Sequence, residues 1–178
     1  MTDCALIPAA SVKACTLAEG ATPNISSKRG PPTCTAWPAY VAWTPRPELE
    51  IDLDHAWELA LFDGGPNDGE QINNVPRHIL RLAGAWQHAR FGTIAFWATH
   101  VREQWLDEAN RHEMPDYTTV DASVSRSWAG VDVQLQVQNL FDARYAPAAY
   151  LTMDETGAEL PLYFPAAGRT WRIGVRAE

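Results

Sequence analysis

Apolar and polar residues alternate without a break along several stretches of the chain. In residues 131–138 every odd position is valine or leucine, and every even position is aspartate or glutamine. Residues 49–54 repeat this alternation with a carboxylate at each polar position, and residues 171–177 alternate in a similar way. Because successive side chains of a β-strand point to opposite faces, a period of two predicts strands with one apolar and one polar face.

Seven strands are predicted on this basis, and no stretch competes seriously as a helix. They span about 39–45, 49–61, 78–88, 93–104, 117–128, 131–141 and 169–177. The register of the fourth strand stays open, because Phe96 and Trp97 are adjacent and face opposite ways. The strongest helical signal is a single turn at 107–112.

The connections between these strands alternate between short and long. The short ones are 45–48, 89–92 and 129–130, and the long ones are 63–77, 105–116 and 142–168. In an up-and-down meander, successive connections lie at opposite ends of the sheet. One end is therefore tight and the other is rich in loops, which is typical of outer-membrane barrels with short periplasmic turns and long extracellular loops.

The predicted faces follow from the alternation. The polar face is expected to include Asp52, Asp54, Gln134, Gln136, Arg172 and Arg176. The apolar face, directed at lipid, is expected to include Leu53, Leu80, Val133, Leu135 and Ile173. The fold class is thus an all-β antiparallel meander of about seven strands, as in part of an outer-membrane β-barrel that is not complete.

Aromatic residues mark the ends of the predicted strands. Trp43, Trp86 and Trp128 lie beside the short turns, and Trp57, Trp105, Tyr117, Phe141 and Trp171 lie near the long loops. Two aromatic girdles about one hydrocarbon thickness apart would give this distribution. The alternative is a soluble β-sandwich, a ligand-binding module with the aromatic residues in its core, and periodicity alone leaves both open.

Composition narrows the classes of function. The formal charge is −8, from 14 Lys+Arg and 22 Asp+Glu, which argues against a nucleic-acid partner. Residues 1–36 lack periodicity and are predicted to be irregular or disordered, and residues 37–178 form the barrel segment. Cys4, Cys15 and Cys34 have no metal-ligand spacing. One disulfide is possible, although unpaired thiols are the simpler interpretation.

Five segments, in this order and spacing, resemble the C-terminal part of TonB-dependent outer-membrane receptors. They are 73–78, 101–110, 115–121, 137–145 (with Asn-Leu-Phe-Asp followed by Tyr145) and 165–170. The resemblance implies a transport receptor in the outer membrane of a Gram-negative bacterium, and not an enzyme. Its ligand would be a scarce nutrient, most often a ferric siderophore, with haem or cobalamin as alternatives. Energy would come from the TonB complex through an N-terminal plug.

The same resemblance leads us to expect an incomplete receptor. Such receptors have 22 strands and a plugged lumen, and 178 residues are too few for that many strands. The N-terminus does not resemble an export signal, and the last residues lack the family's terminal aromatic residue. A gene remnant, a split gene or a wrongly assigned start would each explain this. We expect such a chain to have open sheet edges and to import nothing alone.

Candidate chemistry is sparse. No nucleotide-binding loop, hydrolase elbow or zinc-helix motif is present, so no catalytic residue, cofactor or metal site is predicted. The candidate ligand-binding residues are Asp107, Asn110, Arg144 and Tyr145. Oxygens near Asp107 and Asn110 suit a hard cation, although a solvated loop is the simpler interpretation. Arg144 and Tyr145 suit an anionic iron chelate, although a structural role as girdle and loop anchor is the simpler interpretation. His55, His78, His88 and His100 show no ligand spacing.

Overall fold

A computed structural model describes residues 2–7, 11–17 and 33–177 of the chain. These residues form thirteen strands. They are β1 (Thr2–Ile7), β2 (Ser11–Leu17), β3 (Thr33–Arg46), β4 (Leu49–Leu61), β5 (His78–His88), β6 (Gly92–Arg102), β7 (Gln104–Trp105), β8 (Glu113–Met114), β9 (Tyr117–Trp128), β10 (Val131–Gln138), β11 (Ala148–Met153), β12 (Glu159–Phe164) and β13 (Thr170–Ala177). No helix long and apolar enough to cross a membrane occurs in the described part of the chain.

One nine-stranded sheet contains most of these strands. Its order is β1-β2-β3-β4-β5-β6-β9-β10-β13, and every neighbouring pair is antiparallel. The small pairs β7–β8 and β11–β12 lie within the connections that precede β9 and β13. The predicted meander is therefore confirmed: its seven strands are β3, β4, β5, β6, β9, β10 and β13, and the sheet does not close into a barrel.

The strand ends differ from the predicted ones by a few residues, for a local reason. Glu103 and Asn139 have φ angles of 58° and 51°, which ends β6 at Arg102 and β10 at Gln138. Positive φ is incompatible with an extended strand, and apolar alternation does not reveal it. The predicted loop over 142–168 also contains the β11–β12 hairpin.

The N-terminal segment is more regular than its composition indicates. The prediction of irregular structure through residue 36 is wrong for β1, β2 and the start of β3. Residues 11–16 pair with residues 39–44, so β2 extends the sheet beyond β3. An edge pairing supplies backbone hydrogen bonds whatever the side-chain pattern, so the local sequence carries little sign of it. Residues 8–10 and 18–32 lie outside the described residues, and the domain boundary at 36/37 stays a prediction.

The sheet register separates polar from apolar side chains as predicted. On one face, Leu53 lies opposite Leu82, and Leu135 lies opposite both Val124 and Ile173. The other face has polar contacts across the strands. Tyr40 Oη donates to Asp52 Oδ1 at 2.6 Å, Arg81 pairs with Asp54 at 4.0 Å, and Ser127 donates to Asp132. We call the first face the apolar face and the second the polar face.

The two ends of the sheet differ in the way that the connection lengths predict. One end has tight turns, such as Ala129–Gly130, where both residues have positive φ (50° and 79°), as a two-residue type I′ hairpin requires. The three long connections all leave from the opposite end. We call these the tight-turn end and the loop end.

Burial is concentrated in the loops rather than in the sheet. Leu106, Met114 and Ala149 are 1–3% exposed and form a small core with Leu151 at the loop end. On the apolar face, by contrast, Val133 and Ile173 are 45% and 75% exposed. Within the described residues no second layer covers this face. A soluble sandwich would bury it, so the structure does not favour that alternative.

The sheet also settles the register of β6. Phe96 lies opposite Gly84 on the apolar face, and Trp97 lies opposite Ala83 on the polar face. A Cβ added at Gly84 would lie 2.7 Å from Phe96 Cζ. The aromatic ring therefore covers the glycine, which is a cross-strand pairing that protects an exposed backbone.

Replacing Gly84 with alanine is expected to destabilise the sheet, because the Phe96 ring must move to admit the new methyl group. Overpacking of this kind costs about 1–3 kcal/mol. The measurement is the midpoint of urea unfolding of the chain in detergent micelles, read from circular dichroism. Gly174→Ala is the matched control, since the nearest atom to a Cβ there, Gln134 Cβ, is 3.9 Å away. Adding Phe96→Ala to Gly84→Ala should recover part of the loss, and equal midpoints for the two glycine variants would contradict this account.

Candidate ligand-binding site at the loop end

Two asparagine side chains join the long loops to one another. Asn74 accepts from Ala149 N and donates to Ala149 O, both at 2.9 Å. Asn110 accepts from Gln71 N at 2.7 Å and donates to Gln71 O at 2.8 Å. Each amide therefore pairs with both backbone groups of a residue in another loop, as a neighbouring strand would. Both asparagines have positive φ, a conformation that Asn tolerates better than most residues.

A third asparagine, Asn139, folds the connection after β10 back on itself. Its side chain accepts from Ala143 N at 2.8 Å and donates to Ala143 O at 2.9 Å, while its own N–H donates to Asp121 Oδ1 at 2.7 Å. Asp142 then accepts from Arg169 N at 2.8 Å, so the start and end of this connection are joined. These contacts give the Asn-Leu-Phe-Asp motif a structural role at the top of the sheet.

Asp107 is held inside its own loop. Its carboxylate is largely buried and accepts from the backbone N–H groups of Arg111 and His112 at 3.1 and 2.8 Å. Burial raises the pKa of this carboxyl, but the backbone hydrogen bonds from His112 and Arg111, together with the His112 imidazole, outweigh burial and hold the pKa below its usual range. Arg111 continues the chain of contacts to Glu159 in β12, at 2.7 Å.

The first two predicted ligand-binding residues are thus engaged within the loops. Asn110 N donates to Asp107 O at 3.2 Å, so the two residues are neighbours, but their polar atoms already have protein partners. In the described part of the chain, no group of three or more His, Cys, Asp or Glu side chains is arranged to hold a metal ion. These contacts favour a structural role for both residues, which hold the loops together, over a role in ligand binding.

The other two predicted residues line an open cleft. Tyr145 stacks on Tyr117 with ring centroids 4.4 Å apart and planes at 25°. The cleft beside this stack measures about 470 Å³. It is lined by Pro115, Asp116, Tyr117, Arg144, Tyr145, Ala146, Tyr163 and Pro165. Arg144 is exposed at its edge, and no described residue forms an ion pair or hydrogen bond with its guanidinium. We call this space the tyrosine cleft.

A smaller cavity of about 180 Å³ continues from the tyrosine cleft along the polar face. Tyr145 lines both spaces, and Asp121, Gln138 and Thr170 line the lower one. The cleft therefore opens toward the polar face of the strands rather than toward the apolar face. Tyr163 belongs to β12 and could not be predicted as a lining residue, because no local pattern indicates the β11–β12 hairpin that positions it.

Two histidines that are far apart in sequence come together on the apolar face. His55 and His78 stack with centroids 5.3 Å apart, and His55 Nε2 lies 3.1 Å from His78 Nδ1. Glu103 Oε1 is 3.7 Å from His78 Nε2. The sequence showed no ligand spacing for these residues, since only the antiparallel pairing of β4 with β5 brings them together.

A family model and a curated relative both match this chain. A family model for "TonB dependent receptor-like, beta-barrel" matches residues 36–140. The ferrioxamine receptor of Yersinia enterocolitica is 32% identical over 93 residues, which cover 48% of this chain and 13% of the receptor. The chain therefore spans a small part of this relative's length.

Solved structures show the same fold. The ferric yersiniabactin uptake receptor FyuA of Yersinia pestis superposes with a TM-score of 0.74 at 20% identity, over 99% of this chain and 28% of that one. The siderophore receptor PiuA of Acinetobacter baumannii gives a TM-score of 0.65 at 18% identity, over 92% of this chain and 25% of that one. At these identities the likeness establishes the fold alone.

Replacing Asn74 with glycine is expected to loosen the β11–β12 hairpin, because Ala149 loses both side-chain hydrogen bonds while glycine keeps the positive φ. A buried backbone group left unpaired costs about 1–3 kcal/mol. The measurement is hydrogen exchange at the Ala149 amide, which should become faster. Asn73→Gly is the control, since no described residue hydrogen-bonds to that side chain. Unchanged protection in Asn74→Gly would show that the hairpin is held by its apolar contacts instead.

Proposed function

The chain belongs to the TonB-dependent receptor β-barrel family, and we propose on this basis that it forms part of the wall of an outer-membrane receptor that takes up a ferric siderophore. The observation that carries the proposal is the sheet itself. One continuous antiparallel meander has an uncovered apolar face, a polar face and all of its long loops at one end. In the family's terms, the loop end is extracellular and the polar face lines the lumen.

The physical fit to a membrane comes from backbone pairing. Hydrocarbon contains no water to satisfy N–H and C=O groups, so only helices and fully paired sheets can cross it. In the nine-stranded sheet, each interior strand is paired on both sides. Trp43, Trp86 and Trp128 lie near the tight turns on the apolar face, where a membrane-water boundary would place them.

The tyrosine cleft is the proposed contact surface for the ligand. Stacked tyrosines offer flat apolar area, and Arg144 adds a positive charge that no described residue neutralises. This pairing suits an anionic chelate with planar groups. The names of the relatives refer to ferrioxamine, ferric yersiniabactin and siderophores, which supports a siderophore over haem or cobalamin.

The energy source would lie outside this chain. We propose that the whole receptor engages the TonB complex through a plug domain, as its family does. The strands described here would then contribute wall and loops, and the remaining strands and the plug would complete the transport path.

Placing arginine at Leu135 is expected to block membrane insertion, whereas arginine at the adjacent Gln134 should be tolerated. Leu135 lies on the apolar face, where an arginine costs about 2–4 kcal/mol near the bilayer midplane, and Gln134 lies on the polar face. The test host is a chimera in which residues 36–140, which match the barrel family model, replace the corresponding barrel segment of the Yersinia enterocolitica ferrioxamine receptor. Outer-membrane fractionation and a heat-modifiable band on a gel give the readout. A chimera that remains soluble, or equal insertion of both arginine variants, would contradict the proposed membrane sheet.

Tyr145→Ala and Arg144→Gln are expected to weaken siderophore binding by about five-fold each, the effect of losing roughly 1 kcal/mol from stacking or charge. The measurement is titration of the folded chain with a ferric siderophore, followed by tryptophan fluorescence. Tyr145→Phe is the control, because it keeps the stack on Tyr117 and removes only the hydroxyl. If both variants bind as the unaltered chain does, the tyrosine cleft is a structural feature and the ligand contacts lie elsewhere.

A further inference from the structure

A groove lies on the apolar face at its tight-turn end, away from the tyrosine cleft. It measures about 760 Å³ and is formed by β9, β10 and the turn that precedes β6. Its lining is Phe91, Val124, Arg126, Trp128, Val133 and Leu135. Five of these side chains are apolar or aromatic, and one is a guanidinium in the middle of them.

The backbones of β6 and β9 approach one another closely at this end of the sheet. Gly92 begins β6 beside Arg126 with a φ of 81°, and a Cβ there would collide with the backbone oxygen of Ser125. Phe91 and Trp128 are 52% and 78% exposed and stand at the rim, at the level where a membrane-water boundary would lie.

The charge at the groove is positive and is not neutralised by the described residues. Arg126 has no ion pair or hydrogen bond there, although it is surrounded by apolar side chains. Arg90 lies over the ring of Phe91, with its Cζ 5.7 Å from the ring centroid, and has no acidic partner in the described residues either. The nearby carboxylate of Asp132 is bonded to Ser127 on the opposite, polar face.

We propose that this groove binds one anionic glycerophospholipid from the leaflet at the tight-turn end. The proposal rests on the proposed function, since it needs the apolar face to lie in a membrane. Arg126 and Arg90 would hold the lipid phosphate, and an acyl chain would lie along Val124, Val133 and Leu135. Two cations favour a lipid with net negative charge over a zwitterionic one. Free phosphate would leave the apolar walls uncovered, so the lipid is the better match.

The test is native mass spectrometry of the full chain in detergent micelles with phosphatidylglycerol added, alongside phosphatidylcholine in a parallel sample. We expect one phosphatidylglycerol to be retained and phosphatidylcholine to be lost. Arg126→Gln should weaken phosphatidylglycerol retention by about five-fold, and Arg126→Gln/Arg90→Gln by about twenty-five-fold, from about five-fold per cation near a bilayer surface. Arg172→Gln is the control, because Arg172 lies on the polar face of β13 opposite Gln136.

Each outcome bears on a different claim. Equal retention of the two lipids, or equal retention by Arg126→Gln and Arg172→Gln, would overturn the lipid site while leaving the receptor proposal intact. Loss of strand signal in micelles, measured by circular dichroism on the same sample, would count against the membrane sheet and therefore against both.

Discussion

Continuous antiparallel pairing of the backbone is the constraint on which the rest of this structure depends. Among the residues that the structure describes, no layer covers the apolar face of the sheet, and the small apolar core lies among the loops. Its order therefore comes from hydrogen bonds between neighbouring strands and from side-chain pairs across them, such as Phe96 over Gly84. Such a sheet is stable only where the uncovered face meets an apolar medium, because water would favour burying it.

At the loop end the backbone leaves the sheet, so its N–H and C=O groups need hydrogen-bond partners other than a neighbouring strand. Three asparagine side chains provide these partners, because an amide donates and accepts as a peptide group does. They are Asn74, Asn110 and Asn139, and all three have a positive φ. The three long connections are thereby tied to one another. This bracing holds Tyr117, Tyr145 and Tyr163 around one cleft, so the rigidity of the loops and the proposed ligand surface have the same origin.

The two faces of the sheet have different roles in the proposed receptor. The polar face continues downward from the tyrosine cleft and would line the lumen, with Asp52, Asp54 and Arg81 held in cross-strand contacts. The apolar face would meet lipid, and at one end it places Arg126 where a lipid phosphate would neutralise its charge. A single alternation of residue types thus serves both the transport path and the membrane.

The sequence by itself determined the strands, their two faces and the asymmetry of the ends, because period-two alternation and connection length are local properties. Residues 131–138, for example, are assigned as a strand without knowledge of the strands that pair with them. Only the tertiary structure decided what depends on distant pairing: β2 beside β3, His55 stacked on His78, and the asparagine amides that brace the loops. Asp107 and Asn110 show the reason. Their residue types fit a ligand site, but the backbone groups that occupy them come from the fold, and no local pattern records where those groups will lie.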